Sequence, residues 1–263
     1  MSIISLITDF GTRDEYVGLL KAVILSIDPA AVTVDVSHAV DPQDVAQAAF
    51  LVQSAYAYFP PGSIHLVVVD PGVGSARDIL LLDLGEHRFV APDNGVLSLV
   101  MDGGLPFRLR RLENPAWRRA AVSPTFHGRD VMAPAAARLS GGADPAEFGP
   151  ELEPRAAVRL QGLRPRLTPA GLEGRIVQVD RFGNLITNID RGRFDAFTGA
   201  GVAEIRVGDT RIRGVRRTYS DGVSGEPLAL FGSRGTLEIA IACGSARLTL
   251  GVDKGAPVAV GCL

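Results

Sequence analysis

Apolar residues fall into two patterns along this chain. In the first half, short unbroken apolar runs alternate with segments of helical period. Residues 3–8 (IISLIT) form such a run and predict a first strand. Over 14–27, Val17, Leu20, Val23, Ile24 and Ile27 recur at helical spacing. Residues 32–36 predict a second strand, and 42–58 a second helix with Pro42 in its first turn. Strands follow at 64–69, 79–84 and 89–91, then a helix at 128–139 that Pro134 bends or breaks. The strand–helix–strand rhythm predicts an α/β domain on a mainly parallel, helix-covered sheet. The stretch from Gly141 to Pro169 carries Pro145, Pro150, Pro154 and Pro165 with little periodicity, which reads as a linker. Beyond it come seven short strands, at 174–180, 185–189, 202–207, 210–215, 228–231, 236–241 and 257–260. With glycine-rich turns between them, they predict a small all-β barrel or sandwich. The expected division is therefore an α/β domain over 1–142, a linker over 143–169 and a β domain over 170–263.

Composition narrows the function classes. Of 263 residues, 46% are hydrophobic and 21% charged, so the chain can bury a core. A net charge of −2 argues against a broad nucleic-acid surface. The cluster Arg108, Arg110, Arg111, Arg118 and Arg119 lacks interleaved aromatics and reads as a solvated face. The two cysteines, Cys243 and Cys262, form no Cys-x-x-Cys pair. His38, His65, His87 and His127 have no metal-ligand spacing, so neither a bound metal nor another cofactor is expected. The start of the chain has no basic leader, and the apolar run over 46–59 is short and interrupted by Gln47 and Gln53. Together these features imply a soluble, cytoplasmic protein without membrane partners.

Polar residues gather in four stretches. In HLVVVDPGVGSAR an apolar strand ends at Asp70, and a glycine-rich loop leads to Arg77. Taken alone this is ordinary turn chemistry, and as a dinucleotide loop it lacks the third glycine. Asp9, His38 and Asp70 each follow a predicted strand, and ligands in such sheets sit beyond the carboxyl ends of the strands. TDFGTRDE reads as a helix start with Thr12 as cap, which leaves Asp9 unexplained. TFHGRD places His127 beside the small Gly128. In VDRFGNLITNI, Asp180 and Asn184 fit a hairpin turn; an Asn side chain also suits a purine edge, and Phe182 a base face. No nucleophile elbow or phosphate-binding loop is present.

The ordered set TDFGTRDEYVG, VVVDPGVGSAR, APDNG, FHGRD and VDRFGNLITNI resembles the S-adenosyl-L-methionine (SAM) hydroxide adenosyltransferases, relatives of the fluorinase and chlorinase enzymes. The resemblance spans nearly the whole chain. It implies an α/β domain followed by a β-barrel, assembled as a homotrimer with each site between neighbouring subunits. The implied substrate is SAM, cleaved by water at the ribose C5′ to adenosine and L-methionine. The family's Asp-Arg-His set for handling water matches Asp70, Arg77 and His127. Halogenases carry Tyr at the position of Asp70, and the fluorinase a serine at that of Gly128, so the pattern here is that of a hydrolase.

Matching motifs further imply that Asp9 binds ribose and Asn184 adenine, with Phe182 nearby. They imply that Asp180, Ser233 and Arg234 bind the methionine end, which Asp14 also approaches. Gln43 stands where the fluorinase has an aromatic that packs on the substrate. Two other readings accompany this one: a non-catalytic SAM or adenosine sensor, and a halide-dependent SAM lyase.

Overall fold

The computed structural model describes residues 2–263, and the chain divides after Gln161 into two compact units. The first contains β1 (Ile3–Thr8), α1 (Tyr16–Ile27), β2 (Val32–Ser37), α2 (Val45–Ala55) and β3 (Ile64–Val68). These are followed by β4 (Ile79–Leu84), β5 (His87–Pro92), α3 (Ser98–Met101), β6 (Phe107–Arg111), α4 (Ala133–Ser140) and β7 (Glu151–Leu152). Seven strands form one sheet in the order β2-β1-β3-β5-β4-β6-β7. The pairs β2-β1, β1-β3 and β3-β5 are parallel. The other half is antiparallel, because β4 and β5 are joined by the two-residue turn Gly85-Glu86 rather than by a crossover helix.

Strand alternation sets the two cores. Ile4, Leu6, Ile64, Leu66 and Val68 face α1 and α4, while Ile7, Val67 and Val69 face α2. The helix starts differ from the pattern's expectation. α1 begins at Tyr16 with Glu15 at its cap position, so Thr12 caps nothing; α2 is capped by the Asp44 side chain, which accepts the Gln47 N–H. Pro134 has no N–H to offer the Asp130 carbonyl. That carbonyl accepts the Arg119 N–H at 2.8 Å instead, and Gly128–Met132 forms a π-turn ahead of α4.

The stretch expected as a linker is folded structure. Phe148 is fully buried against Trp117, and β7 extends the sheet beside β6. The Val158 N–H donates to Asp93 and the Leu160 N–H to Ser98. Pro145 and Pro154 open single 3-10 turns, where a missing N–H is harmless. The unit boundary therefore lies at 161/162, and the remainder of the stretch, from Gly162, belongs to the second unit.

The second unit contains β8 (Arg166–Thr168), β9 (Gly171–Val179), β10 (Leu185–Asp190), α5 (Arg191–Thr198), β11 (Ala203–Val207) and β12 (Thr210–Arg213). It ends with β13 (Pro227–Phe231), β14 (Thr236–Ile241), α6 (Ala246–Leu250) and β15 (Pro257–Cys262). The sheet runs β12-β11-β15-β9-β10-β14-β13 with antiparallel neighbours, and β8 pairs with β9. Just past β12, the Arg216 N–H donates to Ala229 in β13 at 2.7 Å, so the sheet curls into a nearly closed barrel. The helix α5 interrupts the expected run of strands; it is capped by Asp190, whose side chain accepts the Arg193 N–H.

A buried imidazole couples the first unit's stability to pH. His65 on β3 is 2% exposed, with Nδ1 2.7 Å from Ser5 Oγ and Nε2 3.2 Å from His87 Nδ1. Burial, aided by the nearby His87, pulls its pKa down to about 3. The unfolded chain therefore binds a proton near pH 6.5 that the folded unit refuses until about pH 3. This contribution is fully present above pH 6.5 and is lost as the pH falls. Between pH 7 and 4.5 the expected loss is roughly 2–3 kcal/mol. His65→Asn should flatten the pH dependence of the first unit's melting temperature over that range; an unchanged slope would refute the assignment.

Candidate active site

The sheet's geometry makes a crevice at one rim. From β1 the chain crosses to β2 on one side and later returns to β3 on the other, so α1 and α2 lie on opposite faces. Strand order reverses at β1/β3, the place where such sheets open a ligand cleft beyond the strand ends. Asp9 follows β1, and Asp70 lies just past the end of β3. A cavity of about 580 Å³ lies here, lined among others by Asp9, Gln43, Asp70 and His127.

The loop from Asp70 to Arg77 stays on this rim. It must pass over the end of β5 to reach β4, which starts at the same edge. Two turns fold it back: Val73 N–H to the Asp70 carbonyl at 3.1 Å, and Ser75 N–H to the Gly72 carbonyl at 3.0 Å. Gly74, at φ +79°, lies so close to the Pro124 carbonyl that a Cβ would stand 2.5 Å from its oxygen. That contact joins the loop to the segment carrying His127.

The loop's two ends meet. Arg77 Nε donates to both carboxylate oxygens of Asp70 at 3.0 Å, and Nη2 donates to Oδ2. The same Nη2 lies 2.9 Å from His127 Nδ1. A guanidinium can only donate, so Nδ1 accepts and the neutral ring carries its proton on Nε2. Burial and the Arg77 charge lower the His127 pKa, although Asp70 and Asp130 pull the other way. The set thus contains an anion, a fixed cation and a neutral N–H donor.

The shell around it is built to hold it. Asp130 is fully buried and takes two bonds of 2.8 Å from Arg129 and one of 2.9 Å from the Ser123 N–H. The Arg129 bond holds its carboxyl below the usual range against the opposing effect of burial. Phe126 meets both Phe10 and Tyr16 edge-on, Phe10 and Tyr16 are tilted against each other, and all three, with centroids 5.4–5.7 Å apart, line the cavity. On the β1 side, Thr8 Oγ1 bonds His38 Nδ1 at 2.9 Å and accepts the Phe10 N–H at 3.2 Å. Asp9 Oδ2 accepts the N–H of Gln43, whose φ is +67°. Gln43 is itself part of the cavity lining.

In the second unit, Asp180, Phe182, Asn184, Ser233 and Arg234 line one cavity of about 760 Å³. Asp180 shapes the β9–β10 turn: Oδ1 accepts the N–H groups of Phe182 and Asn184, and Oδ2 accepts Asn184 Nδ2, each at 2.9 Å. Phe182 is 77% exposed, an unpaired aromatic face on this turn. Tyr219 and Glu238 also line the cavity. Neither stands in one of the sequence motifs, so local pattern alone does not single them out. Asp14 is exposed ahead of α1 and lines neither cavity.

Comparison with known proteins agrees across the chain. The SAM hydroxide adenosyltransferase N-terminal domain matches residues 4–149, and that family's C-terminal domain matches 174–259. A Thermus thermophilus protein named (R)-S-adenosyl-L-methionine hydrolase is 41% identical over 259 residues, covering 96% of each chain. A fluorinase from an Actinoplanes species is 28% identical over 90% of each. A solved structure of an uncharacterised conserved protein from Thermotoga maritima superposes with a TM-score of 0.90 at 36% identity, covering 98% of this chain and 99% of that one. Matched in both domains, the chain belongs to the SAM hydroxide adenosyltransferase family and is an enzyme of the hydrolase class.

Proposed function

We propose that this enzyme hydrolyses S-adenosyl-L-methionine to adenosine and L-methionine. Arg77 bonds both Asp70 and His127, which line one cavity with Asp9, and this arrangement carries the reading. Water attacks the ribose C5′ as the C5′–S bond breaks. The bonding pair goes to sulfur, so the cationic sulfonium leaves as a neutral thioether, and no acid is needed at the leaving group. The attacking oxygen loses one proton and becomes the 5′-hydroxyl. His127 Nε2–H donates to that oxygen, Asp70 accepts a water proton, and Arg77 fixes both. Asp9 receives the ribose hydroxyls. In the second unit Asn184 and Phe182 meet the adenine, while Ser233, Arg234 and Asp180 meet the amino-acid end.

The preferred substrate is the (R) epimer at sulfur, in line with the name of the Thermus thermophilus relative. Turnover is expected without added metal, in keeping with four histidines that have no metal-ligand spacing in the sequence. Three copies assemble, with the first unit of one and the second unit of its neighbour furnishing each site; each unit carrying only its own part of the predicted residues supports this. A cytoplasmic location fits two exposed, unpaired cysteines, and among the described residues no helix is long and apolar enough to cross a membrane.

One assay tests the reading. Each sulfur epimer is incubated with the enzyme, with and without chloride and with and without a chelator, and the products are separated. Adenosine plus methionine, formed faster from the (R) epimer and unaffected by chelator, is expected. A chlorinated deoxyadenosine would favour the lyase, and binding without turnover the sensor.

A further inference from the structure

Glu238 is the least expected charge in the second unit. It sits on β14, only 5% exposed, and lines the cavity that also holds Asp180, Ser233 and Arg234. Its Oε2 accepts the Tyr219 hydroxyl at 2.7 Å, and Oε1 has no protein partner among the described residues. A buried carboxyl is costly unless its hydrogen-bonding capacity is met. The backbone around it is shaped to admit it. Gly232 lies directly against the Glu238 carboxyl, and any Cβ there would collide with it. Gly232 also begins the turn that presents Ser233 and Arg234, so the carboxyl and that turn are fitted to each other.

Charge in this cavity is unbalanced. Asp180 and Glu238 both face it, and burial together with the Asp180 charge raises the Glu238 pKa, while Tyr219 and Arg234 oppose the rise. Arg234 Nη1 donates to Gln178 Oε1 at 2.5 Å. The two acids differ in what they have left to give. Asp180 already holds three N–H groups of its own turn, whereas Glu238 has a whole oxygen to spare. A cationic N–H donor placed at that oxygen would satisfy it and screen the two acids from one another.

We infer that Glu238, oriented by Tyr219, receives the α-ammonium of the substrate's amino-acid end, and thereby selects for a ligand that carries one. The inference rests on the functional reading above and refines its second-unit half. Arg234 and Ser233 are left for the α-carboxylate, and Asp180 serves mainly to hold the turn that carries Asn184 and Phe182. Glu238 is a specificity-determining residue here, remote from the bond that breaks.

Glu238→Gln keeps the shape, and Tyr219 can still donate to its amide oxygen, but the charge is gone. Losing a buried, repelled carboxyl should leave the melting temperature unchanged or raised. The readout is calorimetric binding of L-methionine and of 4-(methylthio)butanoate, which lacks the ammonium, to the adenosine-saturated full-length enzyme. A charge-assisted bond of this kind corresponds to about 10- to 100-fold in affinity. The wild type should prefer L-methionine by about that factor, and Glu238→Gln should abolish the preference by weakening L-methionine alone. Tyr219→Phe perturbs the same cavity but keeps the carboxylate, so the preference should survive in it. With SAM, Glu238→Gln should raise KM about tenfold or more and leave kcat within about threefold.

Equal weakening of both ligands, or of neither, would overturn the inference, as would a loss confined to adenosine affinity. Wild-type enzyme that fails to cleave SAM in the same preparation would bring down the functional reading and this inference with it. Normal wild-type cleavage with unchanged selectivity in Glu238→Gln would bring down the inference alone.

Discussion

Asp70→Asn is expected to slow the single-turnover cleavage of SAM by roughly 100- to 10,000-fold, the usual span for a general acid–base contribution. Affinity for SAM should change only a few-fold. The substitution keeps the size of the side chain but replaces one oxygen with a donor, facing an Arg77 that can itself only donate. That breaks the two-point clasp, and with it the position of the Arg77 Nη2 that fixes the His127 ring. Arg77→Ala and His127→Ala should each cost a comparable factor. The double variants should cost little more than the singles, because the three groups act as one network. The effect should fall on the chemical step, because the proposed function assigns the holding of the substrate to Asp9 and the second-unit residues.

The pH profile carries a further check on the same set. His127 has a lowered pKa, so its neutral form persists below the ordinary histidine range. Activity should therefore not fall with a midpoint near 6.5 as the pH drops. A midpoint there, lost in His127→Ala, would show that the ring titrates freely and that the Arg77 contact does not set its tautomer. Wild-type rates in all three single variants at saturating SAM would reduce the Asp70–Arg77 loop to a structural turn.

Mixing two inactive chains should restore activity. Asp70→Ala spoils only the first unit of a chain, and Asn184→Ala only the second. If each site takes its first unit from one copy and its second from the neighbour, a random equal mixture makes about one site in four free of both lesions. About a quarter of wild-type turnover is then expected after co-refolding or co-expression, from parents that each turn over at a small fraction of the normal rate. Mass measurement of the assembly should give three copies. Mixed trimers that stay inactive, or a monomer in solution, would refute the shared site and leave the chemistry at Asp70 untouched.

Much of this protein is written locally in its chain. The short apolar runs at 3–8 and 64–69 and the helical period after Tyr16 are properties of neighbouring residues, and they place Asp9 and Asp70 beyond strand ends without any knowledge of the fold. The motif residues of the second half likewise line one cavity, three of them on the β9–β10 turn and two on the β13–β14 turn. What the chain does not carry locally is which strand lies beside which. The flanking of the β4–β5 hairpin by β3 and β6, the use of 143–161 to extend and cover the first sheet, and the place of β15 between β11 and β9 all depend on partners distant in sequence.

The same holds for charge. His127 reads only as one member of a water-handling set until Arg77, 50 residues away, is seen to occupy its Nδ1. Glu238 reads as the solvent-facing member of an alternating strand, TLEIAI, with Leu237, Ile239 and Ile241 turned to the core. Folding instead turns that second face into a cavity wall, beside Tyr219 and Asp180. Alternation fixes which residues share a face; only the tertiary structure decides whether that face meets water or a ligand.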